Sequence, residues 1–428
     1  MERTFIEEIT TSPGQEVRVC GWIHRLRMLK TAAFIVLTDC SGSVQIVATP
    51  AQVTSLGLKL EDVLEVTALV RAEPRASGGR ELQFVSGRVL SRSANLLPFT
   101  SASNLASVPT EVQLAHRPLS LRTESVGEVF RVQAAILEGF RAFLRSERFT
   151  EIVTSKLVAT GTEGGSNLFE VKYFERAAYL AQSPQFYKEH GVAGLERVFE
   201  TGHVYRAEPH ATSRHLTEYC SLDLELGFVE SAEPVMELER RLLTTLFQTL
   251  NQRFGDSIRK RSGAFLPELT RAPIWEFPEC VERLRRAGIA SPESDLSPEG
   301  ERGLCTLAEQ ERGVPAVFVV GFPLAARPFY AHPRGTSGAA QSFDLLFRGL
   351  EITTGGQRLH TREALESSLR SRGMAVEAFE SHLRMFELGM PPHGGLAIGL
   401  ERLTAQVLGL ANVREATLYP RDRVHLEP

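Results

Sequence analysis

Little in this 428-residue sequence points to an oxidising compartment. Its five cysteines, Cys20, Cys40, Cys220, Cys280 and Cys305, show no paired spacing, which disfavours both a disulfide framework and a zinc site. Long apolar runs are also missing. The longest, around 314–326, is broken by Gly321 and Pro323 and is too short to cross a bilayer, and the first eight residues lack the apolar core of a signal peptide. A cytoplasmic protein with no membrane partner is therefore expected. Neither a Gly-x-x-x-x-Gly-Lys-Ser/Thr loop nor a Gly-x-Gly-x-x-Gly fingerprint occurs, which sets aside the commoner nucleotide folds. No internal repeat or low-complexity segment stands out, and a net charge of −4 gives no global attraction to nucleic acid. Any RNA binding must come from local patches. What is present is size: a chain with 43% hydrophobic residues is long enough for two or three cores.

Residues 15–95 alternate short β-rich runs (17–23, 33–38, 43–48, 63–70, 81–90) with turns such as Asp39-Cys40-Ser41-Gly42 and Ser77-Gly78-Gly79. Five short strands at this spacing predict a small β-barrel of the OB-fold kind, domain 1–98. The Pro- and Ser-bearing stretch 99–124 lacks sustained periodicity and reads as a hinge. A second domain, 125–428, opens with Val129, Val132, Ile136, Phe140 and Phe143 at helical spacing and continues as mixed strands and helices. Within it, 231–325 reads as a helical region without a catalytic pattern. The expected class is α+β: a barrel followed by an antiparallel sheet flanked by helices.

Four segments carry chemistry. In the first, strand-like stretches 198–206 and 216–228 flank a polar loop with Arg206, Glu208, Arg214 and His215, a set suited to gripping a triphosphate. Period two along the second stretch puts Ser221, Asp223 and Glu225 on one face and Leu222, Leu224 and Leu226 on the other, which implies a wet cleft rather than a plain sheet face. The second segment, 343–358, reads as a hairpin with a two-residue turn at Arg348-Gly349. That register sets Leu346 opposite Glu351 and Asp344 opposite Thr353, so Asp344 and Glu351 share a face on a diagonal of roughly 7–8 Å, close enough to converge on Mg2+ held mainly by nucleotide phosphates. Taken alone, two acids on a hairpin are more simply a solvated edge.

The third segment, Pro391-Pro392-His393-Gly394-Gly395 through Gly399 to Arg402, is a glycine-rich approach to a helix, allowing backbone to come close to a ligand and presenting Arg402 near the helix start. The fourth pairs a flexible loop, Gly161-Thr162-Glu163-Gly164-Gly165, with Gln182-Ser183-Pro184-Gln185-Phe186-Tyr187-Lys188, where Gln185 and Lys188 fall on one helical face. An isolated lysine on a helix is usually a solvated charge.

Together these segments resemble the class II aminoacyl-tRNA synthetases, most of all the aspartyl enzymes of archaeal type, from about residue 15 to the C-terminus. The resemblance implies ATP binding by Arg206, Glu208, Arg214, His215, Leu216, Glu351, Gly399 and Arg402, with Arg206 and Arg402 as the catalytic cations. It implies aspartate binding by the lid acid Glu163 and by Gln185, Lys188, Ser221, Asp223, Thr354 and Arg358, with Asp223 orienting Lys188. Mg2+ would be held by Asp344, Glu351 and Thr354. In the barrel, His24, Arg27, Phe34, Gln45 and Glu81 would contact tRNA, with Arg25 and Lys30 nearby, although a phenylalanine in a small barrel is most often core.

The activity implied is aspartate–tRNA ligation: L-aspartate and ATP give aspartyl-adenylate, then the aspartyl group passes to tRNA(Asp). His24 resembles the forms with relaxed anticodon reading, which adds tRNA(Asn) as an acceptor. The bland alternative for it is a polar residue at the barrel rim. The asparaginyl enzymes share most motifs, and the aspartyl reading rests on Thr162-Glu163-Gly164-Gly165 and on Asp223. A carboxylate substrate wants two cationic partners, Arg358 and Lys188, whereas an amide needs an added acceptor. A synthetase-like protein that no longer charges tRNA is the alternative of another class. Two departures stand out. Ser155 replaces the usual proline of the dimer-forming motif, where Ile152 and Val153 still imply a homodimer, and Arg27-Met28 stands where an Arg-Asp pair is common.

Overall fold

The computed structural model describes every residue except 11, 162–166, 209–211, 293 and 428. The lid acid Glu163 and the middle of the loop after Glu208 lie outside the described residues. The chain forms two compact units, Met1–Gly127 and Glu128–Pro428.

In the first unit β1 (Glu16–Met28), β2 (Ala33–Thr38), β3 (Ser43–Ala48), β4 (Val63–Ala72) and β5 (Arg80–Ser91) close into a barrel of order β1-β2-β3-β5-β4. Period-two burial builds its core, with Val17, Val19, Ile23, Ile35, Leu37, Ile46, Leu64 and Val66 inward. The expected hinge segment belongs to this unit and is partly helical, Thr110–Ala115 and Arg117–Ser120. Buried Glu61 ties it down, accepting from the Ser101 backbone and hydroxyl and from Arg122. Such side-chain anchoring leaves no periodic trace in a sequence.

The second unit holds an eight-stranded sheet formed by β6 (Thr150–Glu151), β10 (Arg197–Tyr205), β11 (Glu218–Gly227), β12 (Ile274–Glu276), β13 (Ala316–Val320), β14 (Ser342–Phe347), β15 (Leu350–Gln357) and β16 (His393–Gly399). A three-stranded sheet of β7 (Leu157–Val158), β8 (Glu170–Tyr173) and β9 (Arg176–Leu180) lies apart from it. The large sheet runs β12-β13-β14-β15-β16-β11-β10-β6, antiparallel through its middle and parallel at both edge pairs, β12 with β13 and β6 with β10. It is therefore mixed at its margins rather than wholly antiparallel. The region 231–325 is not only helical. Its apolar run 316–320 forms β13, buried through Val319, as a continuous hydrophobic strand is when both faces are covered. One face of the sheet packs on the helices Glu124–Ser146 and Glu233–Ser262 through Val129, Val132, Ile136, Phe140, Leu242, Leu246, Leu222 and Leu224. In the first of these helices Leu144, not the predicted Phe143, completes the buried stripe, and Phe143 stays half-buried under Arg241. No helix among the described residues is long and apolar enough to cross a membrane, and all five cysteines are free.

Candidate active site

The cleft is founded on the β10–β11 hairpin, whose ladder runs without a break from Arg197 opposite Leu226 to Tyr205 opposite Glu218. Period two then does what the sequence predicts: Leu222, Leu224 and Leu226 enter the core, and Ser221, Asp223 and Glu225 take the other face, buried but polar. A cavity of about 260 Å³ opens on that face. Of the residues expected to hold an amino acid, Gln185, Ser221, Asp223, Thr354 and Arg358 line it. Of those expected for a nucleotide, Arg206, Glu208, Arg214, His215, Leu216, Glu351, Gly399 and Arg402 line it. Lys188 and Asp344 do not.

Lys188 is 1% exposed and lies behind the lining, on the helix Gln185–Leu195. Its Nζ is 2.8 Å from Asp223 Oδ1, the expected orienting contact, and 3.3 Å from Glu225 Oε2. Glu225, which the sequence placed on this face without a role, also accepts from Arg358 Nε at 3.0 Å. Two cations thus balance two carboxylates. Burial alone would raise Glu225, but Arg358, Lys188 and His393 outweigh it and hold this carboxyl below its ordinary range. Gly395 makes the arrangement possible, since a Cβ there would sit 2.2 Å from Glu225 Oε2 and 2.1 Å from the Leu224 carbonyl oxygen. Glycine at this point makes room for protein atoms, whereas the sequence reading assigned that room to the ligand.

The β14–β15 hairpin turns at Arg348-Gly349, both at positive φ (49° and 84°). Leu346 opposes Glu351 as predicted, but Asp344 opposes Thr354 and not Thr353, because the register shifts between Leu345 and Leu346. The bulge puts Glu351 and Thr354 on one side, where Thr354 Oγ1 donates to Glu351 Oε1 at 3.3 Å. Asp344 reaches the same group through Thr354, and burial pushes its carboxyl up while Arg327 opposes the shift. Arg327 grips it with two bonds, 3.0 and 2.7 Å, a partner absent from the sequence reading. No cluster of three or more His, Cys, Asp or Glu suited to a metal occurs among the described residues.

The nucleotide-side cations are each held by protein. Arg402, in the first turn of the helix Leu400–Leu408, donates to the Glu351 carbonyl at 3.1 Å. Arg206 sits over the Tyr219 ring at 5.8 Å. His215 Nε2 is 3.6 Å from Glu208 Oε2. Arg214 is clamped by Glu301, which also accepts from the Glu351 backbone at 2.7 Å. Glu301 comes from the helix Pro298–Arg312, where the sequence showed no catalytic pattern. Neither it nor Arg327 has a local signal that could have found it.

On the barrel, Arg27 pairs across to Phe34, and Val36 to Gln45. Gln45 Nε2 donates to Glu81 Oε2 at 3.0 Å. Arg27, Phe34, Gln45 and Glu81 therefore lie on successive neighbours β1, β2, β3 and β5, and Phe34 alternates outward from buried Ala33 and Ile35. It is not a core residue. His24 sits at a bulge in β1, with Nδ1 2.8 Å from Ser101 Oγ.

An antiparallel sheet floor, a hairpin that brings cations over a cavity and a second hairpin that adds carboxylates beside it define the catalytic domain of a class II aminoacyl-tRNA synthetase. The profile of the family described as tRNA synthetases class II (D, K and N) matches residues 109–423, and that of the OB-fold nucleic acid binding domain matches 17–90. The chain belongs to this class II family of ATP-dependent aminoacyl-tRNA ligases. It is 43% identical to the aspartate--tRNA(Asp/Asn) ligase of Thermus thermophilus, covering 100% of both chains. It is 42% identical to the enzyme of the same name from Deinococcus radiodurans, covering 100% of this chain and 99% of that one. Asparaginyl-tRNA synthetase from Pyrococcus horikoshii complexed with asparaginyl-adenylate superposes with a TM-score of 0.92 at 27% identity, over 100% of both chains.

Proposed function

We propose that the chain activates L-aspartate with ATP and transfers the aspartyl group to tRNA(Asp). The observation that carries this is the pair Arg358, which lines the cavity, and Lys188 just behind it, ion-paired with Asp223 and Glu225. Arg358 lines the cavity and Lys188 lies just behind it, so a substrate side-chain carboxylate would meet cationic partners there, whereas an amide would leave them without an anion. The names of the Thermus and Deinococcus relatives support the same substrate.

In the first step an aspartate carboxylate oxygen attacks the ATP α-phosphorus in line and pyrophosphate leaves. In the second, a terminal ribose hydroxyl of tRNA attacks the acyl carbon and AMP leaves. No side chain acts as nucleophile. Arg206, Arg214 and Arg402 bind and orient the triphosphate, and rate comes from that positioning and from charge neutralisation. The oxygens present fit Mg2+: Glu351 and Thr354 line the cavity, with Asp344 behind Thr354, a sparse hard-donor set of the kind that shares the ion with nucleotide phosphates. When bound, Mg2+ would neutralise phosphate charge.

A broader acceptor range, tRNA(Asn) beside tRNA(Asp), is supported by the names of the same two relatives and by His24, whose imidazole offers one hydrogen bond to a base without the bulk of an indole. The barrel face of Arg27, Phe34, Gln45 and Glu81 offers charge, stacking and base-edge contacts to an anticodon. ATP–pyrophosphate exchange run with aspartate and with asparagine tests the amino acid: stimulation by aspartate alone is expected, and equal stimulation overturns it. A kcat/KM comparison of the two tRNA transcripts tests the acceptor, and a preference for tRNA(Asp) beyond roughly 10²-fold, the scale of one discriminating contact, overturns the relaxed reading.

A further inference from the structure

Glu189 follows Gln185 by one turn of the helix Gln185–Leu195 and has no exposed surface. Its Oε1 accepts from Gln185 Nε2 at 2.7 Å, and the same Nε2 lies 3.4 Å from Glu225 Oε2. Both amide hydrogens of Gln185 thus have carboxyl partners, and none of the described residues donates to its Oε1. An amide held by its NH₂ end presents its carbonyl to the cavity that it lines. Behind Glu189, Oε2 is 3.4 Å from His382 Nε2, and His382 Nδ1 is 2.9 Å from His190 Nε2. His382 is stacked on Phe186 at 4.0 Å, so this chain of polar groups is walled by aromatic rings.

We infer that Glu189 is a positioning residue for the amino acid: it holds Gln185 so that the carbonyl oxygen faces the cavity as an acceptor for the substrate ammonium group. This rests on the amino-acid reading of the cavity given above. The charge balance beneath the cavity requires Glu189 to act as a neutral acid. Lys188 and Arg358 already match Asp223 and Glu225, and a third carboxylate would leave the cluster net negative under a dicarboxylate substrate. Burial, aided by Glu225, pushes the Glu189 carboxyl up to about 8 against the opposing pull of Gln185, Arg358 and Lys188. His382 and His190 are pushed down by burial to about 3 and 4, and His393 is lowered by burial as well, so no imidazolium faces Glu189 at neutral pH. Above its titration point Glu189 becomes the unmatched charge, and aspartate binding weakens.

The test is aspartate-dependent ATP–pyrophosphate exchange by the full chain, as wild type, Glu189→Leu and Glu189→Gln, from about pH 6 to about pH 9. A wild type that shows no aspartate-dependent exchange overturns the amino-acid reading and the inference with it. Given that exchange, Glu189→Leu is expected to raise the KM for aspartate roughly tenfold, the scale of one lost orienting hydrogen bond, with kcat and the KM for ATP within about twofold. Glu189→Gln restores the wild-type KM at pH 7, since its amide oxygen still accepts from Gln185. The wild-type KM for aspartate rises above the Glu189 titration point of about 8, and that of Glu189→Gln stays flat. An unchanged KM in Glu189→Leu, or the same rise with pH in Glu189→Gln, overturns the inference. If Glu189→Leu does not fold, the pH comparison of wild type with Glu189→Gln decides alone.

Discussion

Arg214 Nη2 donates to both carboxylate oxygens of Glu301, at 2.6 and 2.5 Å, and so ties the loop between β10 and β11 to the helix Pro298–Arg312. A charge-assisted contact of this kind, with Glu301 itself 5% exposed, fixes where the guanidinium can reach.

Replacing Glu301 by Gln is expected to raise the KM for ATP by roughly tenfold, with the KM for aspartate nearly unchanged, because one charge-assisted bond is weakened and the arginine loses its fixed geometry. Pyrophosphate exchange at varied ATP measures it. An ATP KM at the wild-type value would show that Arg214 is positioned by other groups.

Arg358→Ala and Lys188→Ala are each expected to cut aspartate activation on the order of 10²-fold or more, since each removes a charged partner beneath a carboxylate substrate. Both should also lose stability, since each breaks a buried ion pair. Arg358→Ala leaves Glu225, which is fully buried, with one cation, a defect of about 3–5 kcal/mol when a buried pair is broken. Arg358→Lys should not restore activity, because a single ammonium cannot reproduce the bonds to Glu225 Oε1 and to the Gly395 carbonyl. Recovery in that variant would contradict the fork geometry.

Glu239, fully buried beside Thr353, supplies a pH dependence. Burial raises its carboxyl from 4.5 to about 8. The folded chain then keeps a proton that the unfolded chain releases, so this contribution is complete below pH 4.5 and is lost as pH rises towards 8. Each unit of difference corresponds to about 1.4 kcal/mol. Chemical denaturation from about pH 5 to about pH 8 should show wild-type stability falling more steeply than that of Glu239→Gln. Parallel curves would mean that the acid is hydrated in the folded state.

Val153, 94% exposed, follows the edge strand β6 by two residues, and Leu157, 47% exposed, opens β7 of the small sheet. Exposed apolar side chains along this stretch fit an interface between two copies of the chain, with Ser155 in the place of a rigid proline. The wild type is expected to sediment as a homodimer and Val153→Asp as a monomer at the same concentration. A fully active wild-type monomer would remove the dimer from this reading.

The local pattern of the sequence determined much of the fold. Five barrel strands, the alternation of Ser221, Asp223 and Glu225 against Leu222, Leu224 and Leu226, and the turn at Arg348-Gly349 follow from side-chain period and turn chemistry, which act between near neighbours. The resemblance of short motifs marks Arg206, Arg214, Arg358 and Arg402 from sequence alone. Only the tertiary structure decided what these groups touch. Glu225 meets Arg358 across 133 residues and Arg214 meets Glu301 across 87, pairings that depend on strand order and helix placement. One extra residue in β15 moved the partner of Asp344 from Thr353 to Thr354, since a bulge changes register without changing composition. Lys188, read as a pocket residue, is buried behind the lining because a cation flanked by Asp223 and Glu225 is stable away from water, and nothing local to Lys188 encodes those two partners.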